Sequence, residues 1–210
     1  PYIMPGFALS KLAAQVYEQN PRVEGLLLLK HGLFTFGDTA REAYERHIAA
    51  VNQAEELAAR RGTPQRPAAS QTGPAYATLA PVLRGLLGEG QRRYSLELRQ
   101  SAQIQAFLRE PALEQLSQVG CATPDHVIRT KRFPLVLRLD PAREPSAQAA
   151  ELGAQLAAYR ECYRGYVARQ SARKAERITP LDPDPRILLV PGVGLIAAGP
   201  NRKAAAIAAD

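Results

Sequence analysis

The sequence predicts an α/β fold in which a mainly antiparallel sheet is flanked by helices. Two observations carry that prediction. First, the apolar runs Leu26–Leu29 and Leu188–Val190 each enter a Gly-containing turn, then a second short apolar run, then an Ala-rich helical stretch. Such closely spaced strands pair antiparallel, because a parallel pair needs a crossover of about a dozen residues or more. Second, the two segments are copies. At a constant offset of 162 positions, Gly32 matches Gly194, Leu33 matches Leu195 and Gly37 matches Gly199. One strand–turn–strand–helix unit therefore occurs twice. His31 stands in the first copy where Val193 stands in the second.

The elements follow in order. Leu9, Leu12, Ala13, Val16 and Tyr17 have helical spacing over 8–19, and Asn20-Pro21 stops the helix. Residues 23–30 are near-continuously apolar and bounded by Pro and Gly, as a buried strand is. Residues 33–36 form a second short strand. Gly37-Asp38-Thr39 supplies a turn and a helix N-cap, whose side-chain oxygen accepts an orphan backbone N–H. The helix behind it runs to about Arg61. Residues 62–74 are a polar, Pro-rich connector, expected to be exposed. Two or three helices lie between Ala75 and Val119, with a short strand at 95–98. A break at 120–124 precedes a strand over 133–139. The helix over 146–174 carries Leu152, Leu156, Tyr159, Tyr163 and Tyr166 on one face, which reads as packing with wet hydroxyls. Residues 180–185 end that section, and the second copy completes the chain. The breaks give three segments: 1–62 closes the first copy, 63–119 is connector and helices, and 120–210 holds the second copy. All three fit within one domain as well as several.

The totals narrow the function. A chain of 210 residues, 46% hydrophobic and 22% charged, buries a core without staples. The formal charge of +7 comes from Arg scattered along helices, with no accompanying nucleic-acid motif or stacking aromatics. A small anionic ligand or plain solubility suits that charge better than nucleic acid. Cys121 and Cys162 are far apart, so neither a zinc cluster nor a disulfide framework follows, and a reducing, cytoplasmic compartment is the default. No run reaches the roughly 20 apolar residues of a membrane span. Pro191-Gly192-Val193-Gly194 invites a dinucleotide-loop reading, but a strand follows where the phosphate-cradling helix belongs, so no nucleotide is expected here.

His31 is the candidate for chemistry. An imidazole at a strand end before Gly serves as metal ligand, acid/base or packed side chain. The other histidines are His47, mid-helix and read as structural, and His126. His126 is either a site residue or a helix-start residue behind Asp125 or Thr123 as cap. Arg129, Lys131 and Arg132 form the densest basic stretch, either an anion site or a solvated strand end.

The segment Tyr2-Ile3-Met4-Pro5-Gly6-Phe7, with Lys30-His31-Gly32-Leu33-Phe34-Thr35-Phe36-Gly37, resembles the closing part of a class II aldolase/adducin domain. Thr123-Pro124-Asp125-His126-Val127-Ile128-Arg129-Thr130-Lys131-Arg132 resembles the aldolase region of bifunctional rhamnulose-1-phosphate aldolase/alcohol dehydrogenase proteins, which carry a short-chain dehydrogenase after it. The resemblance spans most of the chain, and its specific parts are 2–45 and 123–132. It implies a divalent metal, usually zinc, held by three histidines: a His-x-His pair and a His-Gly step at a strand end. His31 matches the third. No His-x-His occurs here, and the family's catalytic carboxylate has no matching position. The chain begins at Pro1 and is expected to be the carboxyl-side portion of a longer aldolase region, inactive alone. The implied chemistry is retro-aldol cleavage of a ketose 1-phosphate, with the metal as Lewis acid and His126, Arg129, Lys131 and Arg132 on the phosphate. The alternative is a non-catalytic assembly or scaffolding module. The long Ala-rich helices point to a homo-oligomer in either case.

Overall fold

The computed structural model describes residues 3–62, 75–175 and 177–210. The connector expected over 62–74 lies, beyond Gly62, outside the described residues. The chain divides into two compact units, Pro1–Gln65 with Ala122–Pro124, and Arg66–Cys121 with Asp125–Asp210.

The first unit contains helix α1 (Phe7–Gln19), the hairpin β1 (Gly25–Leu28) and β2 (Gly32–Thr35), and helix α2 (Ala40–Arg60). The strands pair antiparallel with Leu26 opposite Phe34 and Leu28 opposite Gly32. Thr39 caps α2 by accepting from the Glu42 amide at 3.2 Å, and Glu42 reaches back to the Asp38 amide at 2.9 Å. Neither helix carries a buried residue. Phe7, Leu27, Leu29 and Tyr44 are all more than two-thirds exposed.

The second unit is built differently around the same motif. Helix α3 (Tyr76–Leu86) runs into a 3-10 turn at Leu87–Gly90. Strand β3 (Ser95–Arg99) and helices α4 (Ala102–Leu108), α5 (Leu113–Ser117) and α6 (Pro124–Thr130) follow. Strand β4 (Leu135–Val136) precedes a 3-10 turn at Pro145–Gln148. Helix α7 (Ala149–Ser171), strands β5 (Ile187–Val190) and β6 (Gly194–Gly199), and helix α8 (Arg202–Ala209) close the chain. The sheet order is β3-β6-β5-β4. Residues 63–119, expected as a connector and helices, thus supply α3, α4, α5 and β3 to the second unit.

The hairpin pairs antiparallel as expected, and β3 joins β6 antiparallel. The β4–β5 pair is parallel, so the sheet is mixed. The reason is α7, which spans the return between those two strands and makes it a crossover. Strand β4 is also far shorter than the 133–139 run suggested. Pro134 lacks a donor, the strand register against β5 covers Leu135 and Val136, and one further hydrogen bond, from the Leu137 amide to the Leu189 carbonyl at 2.9 Å, ends the pairing.

Both faces of β5–β6 are buried. Leu188, Val190, Ile196 and Ala198 pack with Leu79 and Leu83 of α3 and Leu152 and Leu156 of α7. Ile187, Leu189 and Ala197 pack on the other side with Leu108, Leu113 and Ala208. Phe133, Tyr159 and Tyr163 form a third cluster, in which the Tyr159 hydroxyl donates to the Phe133 carbonyl at 3.0 Å. Tyr159 and Tyr163 of α7 are packed, as their spacing implied, but the Tyr159 hydroxyl expected in water is buried on that carbonyl.

The repeat extends to the backbone. Lys30 and Gly192 are both left-handed, with φ of 74° and 80°, and Gly32 and Gly194 follow at 131° and 155°. The His31 amide donates to the Leu28 carbonyl at 2.9 Å, and the Val193 amide donates to the Val190 carbonyl at 3.0 Å. The twin cap of Thr39 is Asn201, which accepts from the Ala204 amide. Every one of these pairs is 162 positions apart.

Candidate functional site

His31 sits at the tip of the β1–β2 turn, half-buried, between two positive-φ residues. Lys30 holds the left-handed position that Gly holds in the second copy, at a steric cost of roughly 1–2 kcal/mol for a residue with a Cβ. The turn aims the imidazole toward the amino-terminal segment, and Nε2 lies 2.8 Å from the Ile3 carbonyl. In that contact the ring nitrogen donates, so a metal bound through Nε2 would replace it. His47 lies on α2 with Nδ1 3.4 Å from the Thr35 hydroxyl. That hydroxyl gives its own proton to the Ala43 carbonyl at 2.7 Å. His47 therefore ties α2 to β2, the structural role read for it.

Val193, the twin of His31, is 2% exposed and belongs to the larger core cluster. Its carbonyl accepts from the Gln100 amide group at 2.6 Å and from that of Gln105 at 3.2 Å. The place of the imidazole is filled by apolar packing in the second unit.

The basic stretch does not act as one patch. His126, Arg129 and Arg132 are exposed, whereas Lys131 is 2% exposed. Arg132 stacks over the Tyr166 ring, 5.3 Å from its centroid. Lys131, left-handed at φ 63°, turns its ammonium inward. It donates to the Asp184 carbonyl at 2.5 Å and to the Asp182 carbonyl, and sits 4.0 Å above the Tyr163 ring. Of the four residues assigned to a phosphate, Lys131 is the one turned inward, onto backbone carbonyls.

Around Lys131 lies a buried polar network that the sequence reading missed. Asp184 accepts from Arg160 at 2.8 Å, from the Gly88 amide at 3.1 Å and from the Tyr94 hydroxyl at 3.1 Å. Asp182 takes two hydrogen bonds from Arg186, at 2.9 and 2.5 Å, and shares the single Tyr94 hydroxyl proton with Asp184, at 2.9 Å. The network fixes the run into β5 against α3, α7 and the turn before β4. A signal was present in Asp182-Pro183-Asp184-Pro185, two carboxylates on a stiffened backbone before a wholly apolar strand. Residues 180–185 read alone as a helix stop.

Burial by itself raises the Asp182 carboxyl, but the hydrogen bonds and charge of Arg186, with Lys131 and Tyr94, outweigh it and hold the group at about 2, below its ordinary 3.8. Burial pushes the Lys131 ammonium down to about 8, with Arg186 and Arg92 adding to the effect and Asp182 and Asp184 opposing it. A depressed carboxyl contributes stability that is full above its unfolded value and is lost as pH falls through the folded one. The second unit is therefore expected to lose about 2 kcal/mol between pH 4 and pH 2 through Asp182. Urea midpoints measured across that window, wild type beside Asp182→Asn, check this; the variant's curve should lack that drop.

No group of three or more His, Cys, Asp or Glu able to hold a metal occurs among the described residues. Stable zinc sites take three or four protein ligands. His31 fits as one donor, and the described residues do not complete a site around it.

Residues 74–210 match the family model described as aldolase class II, second domain. The chain belongs to the class II aldolase family. The chain is also 30% identical over 209 residues to a Bacillus subtilis (strain 168) protein named uncharacterized oxidoreductase YuxG. The match covers 95% of the chain and 30% of that relative's length. No solved structure matches. Class II aldolases are metal-dependent lyases, and the resemblance read from 2–45 and 123–132 agrees with this membership. No helix among the described residues is long and apolar enough to cross a membrane.

Proposed function

We propose that this chain is part of the aldolase region of a protein that cleaves a ketose 1-phosphate, such as rhamnulose 1-phosphate, by retro-aldol chemistry. His31 is one of the metal's imidazole ligands in this reading. The observation that carries it is the His31 turn. A left-handed Lys30 and a positive-φ Gly32 bracket the imidazole at a strand end, and the second copy keeps the same turn with an apolar side chain in its place. Keeping the turn while changing the side chain separates the role of the imidazole from the needs of the fold.

When bound, a divalent metal such as zinc supplies a Lewis acid for carbon–carbon cleavage in this class. His31 would hold it through a neutral ring nitrogen, and the remaining ligands and the catalytic carboxylate belong to the parent polypeptide. The sugar phosphate is assigned to the exposed His126, Arg129 and Arg132, whose charges and donors suit a phosphate. A downstream short-chain dehydrogenase, a homo-oligomer and a cytoplasmic setting complete the reading; the free thiols of Cys121 and Cys162 suit a reducing compartment.

A second reading, a non-catalytic assembly module, is favoured by Val193, since the second unit keeps the turn and buries its tip. Metal content of the intact parent protein separates the two. Near-stoichiometric zinc in the wild type that is lost in His31→Ala, together with loss of ketose 1-phosphate cleavage, is the expected result. Zinc retained by the variant, or absent from the wild type, would remove His31 from the site.

A further inference from the structure

The first unit has a groove of about 890 Å³ between α1 and the β1–β2 hairpin, lined by Leu9, Tyr17, Leu26, Leu28, Phe34 and Phe36. The repeat identifies this surface. Leu26, Leu28, Phe34 and Phe36 are the counterparts of Leu188, Val190, Ile196 and Ala198, each 162 positions on. The second-unit residues are all 0% exposed beneath α3 and α7. In the first unit α1 lines the other side of the groove, and Tyr17 meets Phe36 edge-on at 5.1 Å. A counterpart of α3 does not occur among the described residues of that unit, and Phe34 is 55% exposed.

The sheet edge tells the same story. A Cβ built on Gly194 would lie 2.7 Å from the Arg99 carbonyl of β3, whereas one built on its twin Gly32 meets nothing within 4 Å. Among the described residues, no strand takes beside β2 the place that β3 takes beside β6. The Phe36 amide donates to the Glu24 carbonyl, as its twin Ala198 donates to Arg186. Antiparallel alternation then turns the Leu33 and Thr35 amides to the outer edge. Edge amides that no described strand pairs, next to a wide apolar face, form a template for a further strand and helix.

We propose that this groove and the outer edge of β2 seat an amphipathic helix followed by an antiparallel strand, as α3 and β3 do on the second unit, supplied by the parent polypeptide ahead of residue 1. The helix presents leucines one turn apart, as Leu79 and Leu83 do. A second copy of the chain has no such segment to lend, because its own Leu79 and Leu83 are fully buried. The parent polypeptide is the source that the repeat points to, because in the second unit α3 and β3 precede their hairpin in chain order. The inference rests on the repeat and not on the role of His31.

Hydrogen exchange at single amides tests it, comparing the 210-residue chain with the polypeptide extended at its amino end. The Leu33 and Thr35 amides are expected to exchange at least about 100-fold more slowly in the extended protein. That gain should disappear in Phe34→Lys, while the Phe36 amide stays protected throughout as proof that the hairpin is folded. Equal exchange at Leu33 and Thr35 in both proteins, with Phe36 protected, would overturn the proposal. Protection in the short chain that rises with concentration would overturn it in favour of a second copy. His31→Ala should leave the pattern unchanged, so failure of the metal assignment and failure of this inference are read separately.

Discussion

Replacing Asp184 with Ala is expected to destabilise the second unit by about 3–5 kcal/mol, the range for breaking a buried ion pair from one side. Asp184 is 2% exposed, and its carboxylate answers four donors: Arg160 Nε and Nη2, the Gly88 amide and the Tyr94 hydroxyl. Arg160 is itself buried on α7. Its remaining acceptors are the Leu86 carbonyl at 2.8 Å and, at 3.7 Å, the half-exposed Glu89. Deleting the carboxylate leaves a guanidinium in the interior with half its partners gone. Asp184→Asn preserves shape and some hydrogen bonds but still strands the charge, so it should fall between wild type and Ala. Urea unfolding followed by far-ultraviolet circular dichroism gives the ordering. An Ala variant within about 1 kcal/mol of wild type would mean that water reaches Arg160 and that the network is looser than its geometry.

The second large effect compares twins. Leu188→Ala is expected to lower stability by about 2–5 kcal/mol, because a fully buried leucine leaves a cavity as well as lost transfer energy. Leu26→Ala, the same residue type at the matching strand position, is expected to lower it by about 1 kcal/mol or less. Leu26 is only half-buried beside an open groove, so its loss creates no enclosed cavity. The same urea titration measures both. Equal losses would show that the groove is closed in solution. In the extended polypeptide the two losses should converge, if the groove is filled there.

Several elements were legible in the sequence because they depend on neighbours along the chain. The cap at Thr39, the turns at His31-Gly32 and Val193-Gly194, and the apolar stripe of α7 are local chemistry, and the turns recur at a fixed offset. The 133–139 strand was misjudged because strand length depends on what lies alongside, and pairing with β5 ends at the Leu137 amide. The parallel β4–β5 pair was missed because it arises from the path of α7, which the composition of β4 does not encode. In the candidate site, His31 was found because a lone imidazole beside Gly stands out against a Val twin. Lys131 was read together with its exposed neighbours Arg129 and Arg132, and its inward turn was not legible there. The groups that decide its environment, Asp182, Asp184 and Tyr163, are supplied by other parts of the chain.

The sequence by itself determined the repeated strand–turn–strand–helix unit, the family, and which copy carries the imidazole. Those follow from residue identity at fixed spacing, where backbone preference and side-chain size act over a few residues. Only the tertiary structure decided that Lys131 faces inward, that Asp182 and Asp184 anchor the second unit, and that one hairpin is covered while its twin is open. Burial and ion pairing are set by groups about 50 to 100 positions apart in the chain, as Lys131, Tyr94 and Gly88 are from Asp184. A desolvated charge takes its energy from whichever partner the fold brings within reach.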